Sequence, residues 1–256
     1  MTIGVHEFYT FLLVFARVGA LFFTAPVFGN KGIPKPTKIG FAALIAFALA
    51  PITASKVGPA PADMFSLVSA IGAETVVGLC LGLIVTLLLS AFQMAGYYVD
   101  TQMGFGIINI LNPLTEQQTS LMGQFLYQAG MTLFLLAGGH LFLIESLAGS
   151  YNALPPGGAH FHGDLATAFI GMVSSMFVTA FKVAAPAGGI LLIIDVAFGL
   201  IARSVPQMNV FIVGMPVKVI AGLLTLAVIL PVLALMVGQM PSLIAVSMKA
   251  VLDAAK

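Results

Sequence analysis

Charge is what this sequence lacks most. Only 7% of its 256 residues are charged, against about 25% in an ordinary soluble domain. A compact soluble protein of this mass exposes roughly 10,700 Å² by the surface-area scaling law, which leaves about one charge per 560 Å². Water does not tolerate such a surface, so a stand-alone soluble catalytic head is excluded. The 10 basic and 9 acidic residues nearly cancel, and there is no basic stripe to attract a phosphate backbone, which removes nucleic acid as a partner. Cysteine is almost absent. Cys80 stands alone, can form no internal disulfide, and reads as a small packed residue. The basic opening of a secretory signal is missing, and Arg17 interrupts what would be its apolar region, so the N-terminus reads as uncleaved. HExxH, the Walker loop, GxSxG and paired aspartates suited to diphosphate chemistry are also missing, so the chain reads as no enzyme.

What is present is hydrophobicity: 60% of the residues are apolar and the mean hydropathy is +1.10. The apolar residues gather into six runs, Phe8 to Phe28, Ile39 to Ala54, Phe65 to Val99, Leu121 to Leu147, Leu165 to Ala202 and Val210 to Val237. Segments with Pro, Gly, Asn and Lys separate them. As helices, the second run is about 24 Å long, while the third and fifth reach about 52 and 57 Å against a hydrocarbon thickness of about 30 Å. The pattern predicts an all-α polytopic membrane protein built of helical hairpins, with long helices that are broken or continue beyond the bilayer. Pro186, among Ala184, Ala185, Ala187, Gly188 and Gly189, predicts a kink or short hairpin inside the fifth run. The Gly149 to Gly158 seam is the best boundary between a larger N-terminal part and a two-run C-terminal part.

Ionisable groups inside apolar runs are costly, which singles out Arg17, Glu74, Glu145, Lys182 and Asp195, with Asp100 and Arg203 at run ends. Opposite charges there can pair between helices and fix their registration, or act as a relay in a transporter. The structural use is the favoured reading. A secondary transporter using Lys182 and Asp195 in a broken helix is the alternative function, although the inverted repeats expected of one are not visible. His160, His162 and Asp164 alternate as metal ligands do, but three ligands on one loop leave the site without a fourth. They read as a solvated loop, with no metal and no cofactor. Gly78 and Gly82, one turn apart, mark a face that lets another backbone approach closely.

Three stretches are more specific. The first holds Phe15-Ala16-Arg17-Val18-Gly19, Ala25-Pro26-Val27-Phe28-Gly29 and Ile33-Pro34. The second holds Gln93-Met94-Ala95-Gly96, Asp100-Thr101-Gln102-Met103-Gly104, Asn112-Pro113, Gly139-His140-Leu141 and Leu154-Pro155. The third runs from Asp195-Val196-Ala197-Phe198-Gly199 through Arg203-Ser204-Val205-Pro206-Gln207 to Gly214-Met215-Pro216. In this order and spacing they resemble the FliR family of flagellar and virulence type III secretion systems, over nearly the whole chain. The resemblance implies a subunit of the export gate in the bacterial inner membrane, at the base of a flagellum or injectisome. It implies FliP, FliQ and FlhB-like subunits as partners, unfolded polypeptides as substrates, and contact with membrane lipid. It also implies a FliP-like part over residues 1–160, a FliQ-like part over 161–256, and a plug loop at about 105–120.

The residues suit that plug. Phe105, Ile107, Ile108, Ile110 and Leu111 supply an apolar stopper, and Gly104 and Gly106 supply hinges. An apolar constriction blocks ions by dewetting where a charged ring invites them. Arg17, Glu74, Asp100, Asp195 and Arg203 are then expected to make polar contacts for assembly. Asp195 and Arg203 stand about two turns apart on a similar helix face.

Overall fold

The computed structural model describes residues 4–30, 32–105, 120–159 and 164–255, and every regular element among them is a helix. The predicted runs correspond to α1 (Val5–Thr24), the short α2 (Pro26–Gly29), α3 (Lys35–Thr53), α4 (Met64–Met103), α5 (Leu121–Leu136), α6 (Gly139–Ala153), α7 (Asp164–Ser204) and α8 (Val210–Ala254). The chain is therefore all-α, with helices long and apolar enough to cross a membrane. Local chemistry sets most boundaries. Glu7 accepts from the Gly4 N–H at the start of α1, 3.3 Å away, and Pro26 opens α2, where its missing N–H costs nothing. Asp63 accepts from the Ser66 N–H at 2.7 Å at the head of α4. Its hydrogen bonds with Ser66 hold its carboxyl below the usual range.

The long runs are single helices. α4 has 40 residues, α7 has 41 and α8 has 45, or about 60 to 68 Å at 1.5 Å per residue. A hairpin, one of the two outcomes expected at Pro186, is not there: α7 continues through it as one helix. Proline removes one internal hydrogen bond, and its neighbours Ala184 and Ala187 are small and fully packed, so the neighbouring backbone stays helical. The break falls in the fourth run instead, where Gly138 adopts φ +75° and separates α5 from α6. A side chain at that dihedral clashes with its own backbone, which is why glycine sits there. The sixth run also extends beyond Val237, through Pro241, to Ala254.

By packing, the chain divides into one unit of Met1–Leu87, Gly138–Ser174 and Met240–Lys256, and another of Leu88–Ala137 and Ser175–Gln239. In the first unit Leu13, Val14, Val18 and Leu21 of α1 are buried, as are Val77, Leu81 and Ile84 of α4 and Leu143, Leu147 and Tyr151 of α6. The predicted Gly78 and Gly82 face packs within the chain. A Cβ on Gly78 would lie 2.3 Å from the Arg17 carbonyl oxygen, and one on Gly82 would lie 2.7 Å from the Thr24 Cβ. The two glycines thus seat α4 directly on the α1 backbone. In the second unit the core is built from Leu89, Phe92, Val99 and Met103 of α4, Leu126 and Phe134 of α5, Leu191 of α7, and Ile229 and Leu233 of α8.

Gly82→Val therefore forces α1 and α4 apart, and a loss of about 1 to 3 kcal/mol is expected for such overpacking. Gly72→Ala, at a position with nothing within 4 Å, should leave stability unchanged or slightly raised. Thermal unfolding of the two purified variants in detergent checks the contrast.

Candidate functional site

The first polar centre surrounds Arg17, which sits on α1 with no exposed surface. Its Nε donates to Glu74 Oε2 at 2.6 Å and its Nη2 to Glu74 Oε1 at 3.1 Å, a two-pronged pairing with α4. Its Nη1 donates to Ser150 Oγ at 3.0 Å, and both terminal nitrogens donate to the Leu154 carbonyl at 3.1 and 3.2 Å. A guanidinium has five N–H donors, and here each has an acceptor. The Tyr151 ring lies 4.4 Å from the guanidinium carbon, in range for cation–π attraction. Glu74 Oε1 accepts in addition from the Gly157 N–H at 2.8 Å. The network ties α1, α4, α6 and the turn at 154–157 together. With every donor used and both charges buried, it is a registration device and offers no vacant position to a ligand.

The second centre lies at the end of α4. Gly104 adopts φ +87°; its N–H bonds to the Thr101 carbonyl at 3.2 Å and the Phe105 N–H to the Asp100 carbonyl at 3.0 Å. That pair is a Schellman ending. The Asp100 side chain, 5% exposed, accepts from the Ser120 hydroxyl and, at 3.1 Å, from the Met122 N–H. Ser120 in turn caps α5 by accepting from the Gly123 N–H at 2.8 Å. A Cβ on Gly96 would collide with the Met122 and Gly123 backbone, so α4 and α5 meet closely here. Asp100 thus brings residue 104, where one segment leaves, and residue 120, where it returns, to one place. Phe105 is partly buried. Gly106, Ile107, Ile108, Ile110 and Leu111 lie outside the described residues, as do His160 and His162.

The third centre lies between α7 and α8. Asp195 pairs with Lys218, and the pair lines a cleft of about 460 Å³ with Thr101, Gln102, Gly104 and Met215. Met215 Cε approaches Gly104 to within 3.6 Å of its would-be Cβ. Asp195 therefore has a partner in its own chain, whereas Arg203 is exposed at the end of α7. Lys182 borders a different, apolar groove of about 480 Å³. It stands 13 residues from Asp195 on a continuous helix, about 20 Å along the axis, so the two do not form one substrate site. Glu145 is exposed on α6. Among the described residues no three metal-ligating side chains come together.

Ser120, Ser150, Tyr151, Lys218 and the backbone of Leu154 and Gly157 were not singled out by the sequence. Ser120 had a readable signal, a hydroxyl immediately before an apolar run, which is the mark of a helix cap. A backbone carbonyl such as that of Leu154 has none.

The sequence matches the family described as bacterial export proteins, family 1, over residues 8–243. It is similar to the flagellar biosynthetic protein FliR of Bacillus subtilis (strain 168), 37% identical over 242 residues and covering 92% of each chain. It is also similar to the FliR of Caulobacter vibrioides, 32% identical over 229 residues, 90% of this chain and 91% of that one. Yop proteins translocation protein T of Yersinia pestis is 33% identical over 160 residues, 61% of this chain and 60% of that one.

Removing one partner of the buried pair, by Arg17→Met or Glu74→Gln, is expected to cost about 3 to 5 kcal/mol, because the remaining group keeps its desolvation without its neighbour. The double variant Arg17→Met with Glu74→Leu should recover a large part of that loss. Unfolding of the purified proteins in detergent measures both, and a double variant no better than the singles contradicts the assignment.

Proposed function

Since the chain belongs to the bacterial export proteins, family 1, we propose that it is a non-enzymatic subunit of a flagellar or type III export gate, forming with FliP-like and FliQ-like chains a conduit for unfolded substrates across the bacterial inner membrane. The observation that carries this reading is similarity to flagellar FliR proteins along nine-tenths of the chain. The virulence-system relative matches over about three-fifths, which favours the flagellar setting. In this reading residues 1–160 act as the FliP-like part and 161–256 as the FliQ-like part, with an FlhB-like subunit attached.

Helix length supports an assembly. On α7, Ile170 and Leu200 are 67% and 64% exposed and about 45 Å apart along the helix. On α8, Ile212 and Val246 are 68% and 70% exposed and about 51 Å apart. A hydrocarbon layer of about 30 Å cannot cover either span without extreme tilt. Protein surface covers the remainder. A tagged chain purified in mild detergent is expected to bring down FliP-like and FliQ-like subunits in one large complex, and recovery of a lone functional monomer refutes the gate.

Residues 105–120 form the plug in this proposal. Phe105, Ile107, Ile108, Ile110 and Leu111 fill the conduit at rest, Gly104 and Gly106 let the segment move, and an arriving polypeptide displaces it. The close spacing of its two ends, held by Asp100 and Ser120, suits an insertion rooted at one point. Shortening residues 106–112 is expected to preserve the complex while letting small ions leak. Conductance of cells carrying that deletion is the measurement, and an assembled complex as ion-tight as the parent moves the plug elsewhere.

A further inference from the structure

The ion pairs among the described residues leave one cation in the middle of an apolar helix unaccounted for. Arg17 is paired with Glu74, and Lys218 with Asp195. Lys182, near the midpoint of α7, is exposed and belongs to neither pair. It borders the apolar groove between α4 and α7, whose walls are Met94, Tyr98, Phe177 and Phe181. Phe177 is 49% and Phe181 69% exposed, so these rings are open to a neighbour. The Tyr98 oxygen accepts from Gln102 Nε2 at 3.0 Å and keeps its own proton to donate.

We infer that this groove receives an apolar helix of a partner subunit bearing a single Asp or Glu, whose carboxylate pairs with Lys182. The inference rests on the assembly reading above and names the chemistry of one contact within it. Charge complementarity selects an acid, because an ammonium in apolar surroundings is costly unless paired. Position selects a protein over lipid. Exposed apolar surface continues on both sides of Lys182, to Ile170 on one side and Leu200 on the other, about 18 and 27 Å away. Placing the ammonium at a headgroup plane strands one of these stretches in water, and a lysine reaches only one side chain's length by snorkelling. A partner helix covers both stretches and supplies the anion.

The test compares Lys182→Arg, Lys182→Met and Lys182→Glu in the full complex, with a photocrosslinker placed separately at Phe181. Lys182→Arg is expected to assemble like the parent. Lys182→Met leaves a buried carboxylate unpaired and should reduce the recovered complex, and Lys182→Glu should reduce it by about tenfold or more. The crosslinked partner peptide should contain an Asp or Glu, and changing that residue to Lys should restore Lys182→Glu, a rescue that a misfolded chain does not show. Undiminished assembly of Lys182→Glu overturns the inference, as does a crosslinked segment without an acid. Crosslinking to a second copy of this chain, or loss of bound anionic phospholipid with all partner subunits retained, overturns it in favour of those occupants. If the parent chain brings down no partner subunit at all, the export-gate reading fails first.

Discussion

A guanidinium sealed in an apolar interior tolerates no missing partner, and Arg17 imposes that condition on the first packing unit. Its acceptors come from three places: the Glu74 carboxylate, the Ser150 hydroxyl and the Leu154 carbonyl. Apolar helices otherwise slide past one another at little cost, since leucine against leucine or valine differs only slightly in energy. A shift of one turn, about 5.4 Å, leaves the charge stranded. The buried pair thus works as a register key, the best-attested use of such groups, whatever its net contribution to stability. Gly78 serves the same contact, since its missing side chain lets α4 press on the Arg17 carbonyl.

The second unit uses polar groups more sparingly. Asp100 is placed one turn before the end of α4, where it meets the cap of α5, so a single carboxylate joins the end of one helix to the start of the next. The Asp195 and Lys218 pair joins α7 to α8 and lies beside the same helix end. Charge is scarce in this chain, and Arg17, Glu74, Asp100, Asp195 and Lys218 stand where two segments meet. The unmatched ammonium of Lys182 stands out against that economy, as do helices whose exposed apolar length exceeds any bilayer.

Much of the architecture was legible in advance because hydrophobic runs are local. Their number, their order and their excess length follow from counting residues, and α5, α7 and α8 begin within a residue of the predicted run starts, whereas the start of α6 at Gly139 falls inside a run read as continuous. The hairpin allowed for at Pro186 did not form, for a reason of degree. Proline weakens a helix by one hydrogen bond and a clash, and packed small residues around it keep the helix intact, whereas the left-handed glycine at 138 ends one outright.

By itself, the sequence determined the class, the helices, the family and the short set of charged residues that could not be idle. Which of those charges meet was decided by the tertiary structure. Arg17 finds Glu74 57 residues away and Leu154 137 residues away, separations over which neither periodicity nor spacing carries information. Asp195, expected with Arg203 to make assembly contacts from one helix face, pairs within the chain with Lys218. The physical reason is that hydrophobic burial is non-directional and reads out one residue at a time. An ion pair is directional, and it exists only once the backbone has brought two distant points within a hydrogen bond's length.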